Sequence, residues 1–325
     1  MKVRQIVILL FLSTIVSGCG MGSLTYTMKG NHYMKNGDYQ QAERTFTQAV
    51  QKTPDNALAH YYLGRFVLAQ DKPAKALPSF QRAVQLKPGN AKYHFWLGLT
   101  YGELGDVKAE KDQYQKTLRL KKHYAQARLY LGHLQLKDGD LTKALQSYDA
   151  VLKQIPTNAA ALYNRALILD MQKKTTKATK GWLTYLKWYP AGKHAISATD
   201  HLNALGDYSY NNHYLGRRTV TLAEIKFIRP KDSISVLAYP SLRLVGAIVS
   251  NLEKGNLQIV VYKEGDRHLA KKRALLVKAT LLDLFPAIDS NRIQLSWFGT
   301  REVISRDGKH YSKRESVRFF LTDWK

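Results

Sequence analysis

The sequence predicts a multidomain chain in which an all-α stack of five helix hairpins precedes a smaller α+β domain. The first observation is a fixed 34-residue period of small and aromatic residues. The stretch 57–88 shows the pattern best, with Gly64, Ala76, Phe80 and Pro88 at positions that recur in the neighbouring units. The second observation is that this helical spacing gives way, toward the C-terminus, to apolar residues that alternate as in strands.

Five units follow one another without a gap. The positions equivalent to Gly64 are Gly30, Gly98, Gly132 and Ala166. Four units close with a proline, which cannot continue the preceding helix: Pro54, Pro88, Pro156 and Pro190. The third unit departs most from the pattern, at Glu110, Thr117 and Lys122. This period and pattern resemble the tetratricopeptide repeat, whose helix hairpins stack into a solenoid. The resemblance places the solenoid at residues 23–206, with a capping helix near 191–205.

The resemblance also implies a concave face, lined by the first helix of each hairpin, that binds a partner protein or peptide. The residues expected there are Asn31, Lys35, Tyr61, Arg65, Phe95, Glu103, Leu129, His133, Lys137 and Tyr163. Tyr61, Phe95, Leu129 and Tyr163 lie one period apart and would form a ladder of apolar anchors. The alternative is that these side chains complete the packing between repeats.

The N-terminus has the features of an export signal. Residues 1–18 contain an apolar stretch, 6–16, that is too short to span a membrane. The Val-Ser-Gly-Cys sequence that ends at Cys19 resembles a bacterial lipobox. The resemblance implies that Cys19 is the first residue of the mature chain and carries acyl chains such as palmitate. Residues 19–22 would then form a lipidated N-terminal tail. Gly20 favours the outer membrane, facing the periplasm. The alternative is an ordinary secretory signal with a spare cysteine.

Charge and motifs limit the other functions. The formal net charge is +25, which favours anionic partners in general. Basic runs with interleaved aromatic residues are absent from the sequence, so we expect no nucleic acid partner. The sequence also lacks a zinc signature, a G-x-S-x-G elbow and a phosphate-binding glycine loop. We therefore expect no cofactor, no metal and no enzymatic activity.

The C-terminal domain is expected after a linker at 207–220, which loses helical periodicity and is rich in Asn, Tyr and Gly. The pattern of apolar residues over 221–325 predicts strands and helices in the order βαβαββ. The predicted elements are a strand at 224–228, a helix at 237–252, a strand at 257–262, a helix at 268–284, and strands at 293–298 and 316–322.

This order and three segments resemble the OmpA-like peptidoglycan-binding domain. Residues 269–277 look like the L-S-x-x-R-A-x-x-V helix start of that family, 291–302 like its R-I-x-x-x-G-x-G-E segment, and 314–321 like its closing strand. The resemblance implies that Arg273 binds the carboxylate of the wall peptide's diaminopimelate, and that Glu264 or Asp266 meets the ammonium group. The alternative is that the pocket is lost and Arg273 is a solvated helix charge.

The sequence thus predicts a periplasmic adaptor, anchored in the outer membrane, that holds a protein on its repeats and peptidoglycan on its C-terminal domain. The alternative is a protein-binding assembly component of a pilus or secretion apparatus, with an OmpA-like domain that does not bind peptidoglycan.

Overall fold

The computed structural model describes residues 25–228, 232–306 and 309–323. The predicted signal peptide, Cys19 and the tail at 19–22 lie outside the described residues. The chain forms two compact units, 1–156 and 157–325, which are described separately. The predicted domain boundaries differ from this division and stay a prediction.

The first unit consists of helices that pair into hairpins, as the 34-residue period predicts. Its helices are α1 (described over 25–36), α2 (Tyr39–Lys52), α3 (Ala57–Leu68), α4 (Pro73–Leu86), α5 (Ala91–Glu103), α6 (Val107–Leu120), α7 (Ala125–Lys137) and α8 (Leu141–Gln154). Asn56 and Asn90 begin α3 and α5 by accepting hydrogen bonds from amides of the first turn. Gly105 ends the turn after α5 with a φ of 78°, a left-handed conformation that suits glycine.

Small residues allow the helices of each hairpin to approach closely. A Cβ atom at Gly98 would lie 2.7 Å from the ring of Tyr114, and one at Gly64 would lie 2.9 Å from the ring of Phe80. Both rings are fully buried. The glycine and the aromatic residue of each hairpin are therefore one packing feature, which explains why they recur together.

The second unit continues with the fifth hairpin and one more helix. These helices are α9 (Ala159–Met171), α10 (Thr175–Trp188) and α11 (Lys193–Ala204). The helix α11 corresponds to the predicted capping helix. The all-α solenoid is therefore confirmed, and a smaller region that contains sheets follows it.

The residues predicted as a linker, 207–220, do not form one. They contribute to a hairpin of β1 (Tyr210–Leu215) and β2 (Arg218–Ala223), which packs against α11. The Asn212 amide donates to the Ile196 carbonyl oxygen at 3.1 Å and to Asp200 Oδ1 at 3.2 Å. One of the polar residues that suggested a linker, Asn212, thus bonds to the backbone and to a side chain of the last helix.

The rest of the unit contains the predicted sheet with some differences. Its elements are β3 (Phe227–Ile228), β4 (Ser233–Ile234), α12 (Tyr239–Ser250), β5 (Asn256–Lys263), α13 (Arg267–Leu284), β6 (Ile293–Phe298), β7 (Glu302–Arg306), β8 (Lys309–Lys313) and β9 (Glu315–Thr322). The strand order is β6-β5-β9, with β6 parallel and β9 antiparallel to β5. The predicted strand at 224–228 is shorter and pairs with β4, and the hairpin β7–β8 was not predicted.

The core of this unit lies between the sheet and the helices. One face of β5 presents Leu257, Ile259 and Val261, all buried, toward α13. On α13, Ala270, Ala274 and other apolar side chains complete the cluster. Within the described residues, no helix has the length and apolar character needed to cross a membrane.

Candidate protein-binding groove

Arg65 and Trp96 form the centre of the candidate site, on neighbouring first helices α3 and α5. The guanidinium carbon of Arg65 lies 4.4 Å from the ring centroid of Trp96 and 5.7 Å from that of Tyr61. This is a stacked cation–π arrangement, which arginine forms more readily than lysine. Arg65 Nε is buried and has no hydrogen-bond partner among the described residues. Arg65 as a whole is half-buried, so the exposed part of its guanidinium can contact a ligand.

Lys92 adds a second positive charge beside Arg65. Its ammonium group lies 4.9 Å from the ring centroid of Tyr61, and Tyr61 stacks on Tyr93 with centroids 5.1 Å apart. Partial desolvation lowers the pKa of Lys92, and repulsion by Arg65 lowers it further. No carboxylate among the described residues forms an ion pair with either cation. The two like charges are thus held together without compensation, which favours an anionic ligand.

An open groove of about 780 Å³ has Lys92 in its wall and lies between the loop after α4 and the loop after α6. We call it the basic groove. It is lined by Lys87, Gly89, Asn90, Ala91, Lys92, Leu120, Lys121, His123, Tyr124 and Gln126. Three lysines and a histidine are in this set, and no acidic residue is. The groove therefore has one sign of charge, which raises the local concentration of anionic groups.

Tyr124 links the basic groove to the aromatic residues of the repeats. Its ring lies 5.1 Å from that of Phe95, and the Lys121 ammonium lies 5.8 Å from the Tyr124 centroid. Tyr124 also precedes α7, where the equivalent positions of α3 and α5 have a capping asparagine. Because no side chain caps α7, its first amides and the positive end of its dipole face the loop.

The structure places the predicted concave-face residues in three different environments. Tyr61 and Phe95 are buried, at 1% and 6% exposure. The half-buried residues are Arg65, Leu129, His133 and Tyr163, and the exposed ones are Asn31, Lys35, Glu103 and Lys137. The burial of Tyr61 and Phe95 favours the packing role that the sequence left open. Their role in partner binding stays a prediction.

His133 and Tyr163 both have internal hydrogen-bond partners. His133 Nδ1 lies 2.8 Å from the Tyr148 hydroxyl, and burial lowers the pKa of His133. In the second unit, the Tyr163 hydroxyl lies 2.9 Å from Ser197 Oγ. These contacts fix the two side chains and reduce what they can offer a partner.

The predicted peptidoglycan residue Arg273 is buried, with 1% exposure, and its guanidinium binds carboxylates of its own chain. Nη2 donates to Asp232 Oδ1 at 2.9 Å and Nη1 donates to Glu315 Oε2 at 3.0 Å. Its guanidinium carbon also lies 4.4 Å from the ring centroid of Phe227. The position that a ligand carboxylate would take is therefore occupied by Asp232 and Glu315.

Glu264 and Asp266 also have partners within the second unit. Glu264 Oε1 accepts from Arg301 Nε at 2.5 Å, and this hydrogen bond lowers the pKa of Glu264. Asp266 caps α13 by accepting from the Leu269 amide at 2.8 Å. These roles are structural, so the three residues do not form an open cleft of unpaired charges. Their binding of peptidoglycan stays a prediction.

Two histidines of the repeats have a shared structural role. His60 and His94 lie one period apart, and each ring contacts the carbonyl of the proline that closes the preceding unit. The distances from Nε2 to the Pro54 and Pro88 oxygens are 2.8 and 2.9 Å. Among the described residues, no cluster of histidine and acidic side chains is arranged to hold a metal ion.

These features define a stacked helix-hairpin protein with a basic groove between two of the loops that join its hairpins. The sequence profile described as tetratricopeptide repeat matches residues 27–91, 68–123, 95–159 and 131–191. The matches together extend over half of the chain, and the chain belongs to the tetratricopeptide repeat family. No curated protein sequence matches it.

Solved structures share the repeat fold. The structure of PilF from Pseudomonas aeruginosa is 16% identical, with 58% of this chain and 90% of that chain covered and a TM-score of 0.51. PilW, described as a widely conserved type IV pilus biogenesis factor, is 21% identical, with 56% and 86% covered and a TM-score of 0.49. YrrB, described as a TPR protein with an unusual peptide-binding site, is 21% identical, with 58% and 97% covered and a TM-score of 0.47.

Proposed function

We propose that this chain is a non-catalytic adaptor that holds an acidic segment of a partner protein in the basic groove. The observation that carries the proposal is the pair Arg65 and Lys92, two uncompensated cations that lie against the aromatic rings of Trp96 and Tyr61. A carboxylate bound there would gain charge-assisted hydrogen bonds from Arg65 and remove the repulsion between the two cations. Membership of a family of stacked helical repeats supports a role in protein binding.

The shape of the basic groove supports a peptide rather than a small compact ligand. The groove is open and lies along two adjacent loops, and its lining includes three lysines and Tyr124. Lys87 and Lys121, at the loops, would meet further acidic side chains of an extended segment. An aromatic or aliphatic side chain of the partner would pack on Tyr124.

The proposal includes a location. The lipobox-like sequence that ends at Cys19 supports a lipid anchor in the outer membrane, with the repeats in the periplasm. A Cys19→Ser protein should then lose labelling by palmitate and no longer partition into detergent, because stable anchoring needs more than one acyl chain. Fractionation of Cys19→Ser with the membrane, as for the unaltered chain, would contradict the anchor.

The internal pairing of Arg273 supports the alternative from the sequence, in which the C-terminal domain does not bind peptidoglycan and serves the assembly as a structural or protein-binding part. A pilus or secretion apparatus is one such envelope assembly. The similarity to PilF extends to the fold, so the choice of assembly rests on identification of the partner.

The test is a pull-down from solubilised envelopes with the full chain, followed by binding of the captured protein's acidic segments as synthetic peptides. The double variant Arg65→Gln and Lys92→Gln should bind the peptide about tenfold or more weakly, because hydrogen bonds to charged groups contribute about 1.5 to 3 kcal/mol each. The matched control is Lys108→Gln and Lys153→Gln, two exposed lysines on second helices. Equal binding by both double variants would contradict the proposal.

A further inference from the structure

The helix α10 and its flanking turns form a positively charged surface that the basic groove does not include. Residues 171–199 contain six lysines and no aspartate, glutamate or arginine. The lysines are Lys173, Lys174, Lys177, Lys180, Lys187 and Lys193. All six side chains are exposed. We call these residues, together with Trp188, the lysine surface.

The geometry of α10 presents these lysines outward. Its buried residues, Ala178, Gly181, Trp182, Tyr185 and Leu186, form one side of the helix. Lys177, Lys180 and Lys187 project from the opposite side, at a helical spacing of three and seven residues. Because each residue adds about 1.5 Å to an α-helix, they extend over about 15 Å.

The second helices of three preceding hairpins differ, because each has one lysine that pairs with a carboxylate. Lys75 on α4 lies 2.6 Å from Glu43, Lys111 on α6 lies 3.0 Å from Asp138, and Lys143 on α8 lies 2.7 Å from Asp140. In the part of the chain that the structure describes, no ion pair neutralises a lysine of the lysine surface. The charge of this helix is thus available to a partner outside the chain.

Trp188 gives the lysine surface an apolar element at the C-terminal end of α10. The indole is 53% exposed, although the adjacent Trp182 is fully buried in the repeat core. The Lys187 ammonium lies 6.0 Å from the Trp188 ring centroid. Exposed tryptophan beside lysine is typical of residues at the boundary between water and lipid headgroups.

We infer that the lysine surface binds the headgroups of an anionic phospholipid membrane. Lysine interacts with phosphate as a mobile point charge, whereas fixed recognition of a single phosphate or carboxylate usually employs the planar fork of arginine. Protein interfaces are likewise enriched in arginine and depleted in lysine. A surface with six lysines, no arginine and one exposed tryptophan therefore matches a layer of many mobile phosphates better than an acidic protein.

This inference is independent of the lipid anchor and of the basic groove. If the chain is anchored at Cys19, the lysine surface would hold the fifth hairpin against the same or the facing membrane. Combined anchoring by an acyl chain and a basic surface is stronger than either alone. The experiment therefore uses residues 19–325 with Cys19→Ser, so that neither acyl chains nor the apolar stretch 6–16 contributes to membrane binding.

The test is co-sedimentation of this Cys19→Ser chain with vesicles of phosphatidylethanolamine and phosphatidylglycerol, compared with phosphatidylcholine vesicles. The test variant carries Lys174→Gln, Lys177→Gln, Lys180→Gln and Lys187→Gln. The matched control carries four other exposed lysines changed in the same way: Lys52→Gln, Lys72→Gln, Lys108→Gln and Lys153→Gln. Both variants have the same net charge, and glutamine has nearly the helix propensity of lysine.

We expect the unaltered and control proteins to bind the anionic vesicles and the test variant to bind at least twentyfold more weakly, since each lysine near such a surface contributes up to about fivefold. Trp188→Ala should weaken binding without a change in charge. Equal losses in the test and control variants, equal binding to phosphatidylcholine, or tighter binding to soluble polyglutamate than to anionic vesicles would each overturn the inference. Circular dichroism of both variants establishes that they are folded.

Discussion

The guanidinium of Arg273 and the carboxylate of Asp232 form an ion pair inside the second unit, with Nη2 and Oδ1 2.9 Å apart. The two residues are 41 positions apart in the sequence, on α13 and in the turn before β4. Glu315, on β9, takes the other side of the guanidinium. Three separate parts of the fold therefore meet at Arg273.

Replacing Arg273 by alanine should destabilise the protein. It removes the guanidinium that binds Asp232 and Glu315, and the loss of one member of a buried pair costs about 3 kcal/mol or more. Urea denaturation of the full chain measures this, with Lys254→Ala as a surface control. In co-sedimentation with purified peptidoglycan at high salt, Arg273→Ala and Lys254→Ala should behave alike. If Arg273→Ala is stable and no longer co-sediments with peptidoglycan while Lys254→Ala still does, the result would support peptidoglycan binding by Arg273 instead.

Tyr61 should contribute to folding more than to partner binding. Its ring is 1% exposed and contacts Tyr62, Tyr93 and Phe80. Truncation to alanine should cost about 3 to 5 kcal/mol of the free energy of unfolding, as for other buried aromatic residues. Tyr61→Phe should be close to neutral, since the buried hydroxyl has no hydrogen-bond partner among the described residues. A Tyr61→Ala protein with an unchanged melting temperature and weakened partner binding would instead support the predicted role of Tyr61 as a binding anchor.

Gly98 should be more sensitive to alanine than Gly132, although both occupy the same repeat position. The added Cβ would lie 2.7 Å from the Tyr114 ring at Gly98, but 3.1 Å from the Tyr148 ring at Gly132. Overpacking costs about 1 to 3 kcal/mol, and the gain in helix propensity from glycine to alanine is about 1 kcal/mol. We expect Gly98→Ala to lower the melting temperature and Gly132→Ala to change it little. The order of the two melting temperatures is the test, and its reversal would contradict the packing argument.

Glu110 should make the protein less stable as pH rises from mildly acidic values. Burial raises the pKa of Glu110, and the nearby Tyr114 hydroxyl and the charge of Lys137 only partly oppose this. The folded protein then holds a proton that the unfolded chain has released, so the free energy of unfolding falls with pH between the ordinary glutamate pKa and the raised one. Glu110→Gln removes this dependence and should be the more stable protein at neutral pH.

Denaturant titrations from about pH 4 to pH 8 would measure the free energy of unfolding of the unaltered protein and of Glu110→Gln. The difference between the two should change with pH from the ordinary glutamate pKa, about 4.3, upward. Carboxylates whose pKa is lowered, such as Glu43 and Glu315, have the opposite pH dependence but are common to both proteins. A difference between the two proteins that does not vary with pH would contradict the role of Glu110.

The sequence was sufficient for the repeats because each hairpin is a local structure whose glycine and aromatic residue lie within one period. The sequence was insufficient for the basic groove and its surroundings. The 34-residue period relates residues at the same position of different repeats, whereas the side chains that touch between neighbouring first helices occupy different repeat positions. Arg65 meets Trp96, 31 residues on, and Tyr62 likewise donates to Asn31. This separation is one helical turn shorter than the period. A search for charge and aromatic pairs at 31 residues would have found Arg65 and Trp96.

The C-terminal domain was harder to predict for a similar reason. Its helices and main strands have strong local patterns, and α13 and β6 agree with the predicted ranges. The partners of Arg273 depend on where distant segments meet, and no local spacing specifies Asp232 or Glu315. The hairpin at 210–223 was missed because its first strand is rich in polar residues, one of which, Asn212, bonds to α11, although Leu215 and Leu222 are buried in the core.

The contact between this hairpin and α11 also affects how copies of the chain can associate. A stack of helical repeats that ends in an open helix face presents a template onto which the first repeat of another copy can add, and such head-to-tail addition does not close on itself. Here the hairpin β1–β2 occupies that face, with Asn212 bonded to α11. The hairpin therefore takes the place where a helix of another copy would pack, which opposes head-to-tail addition at this end of the stack.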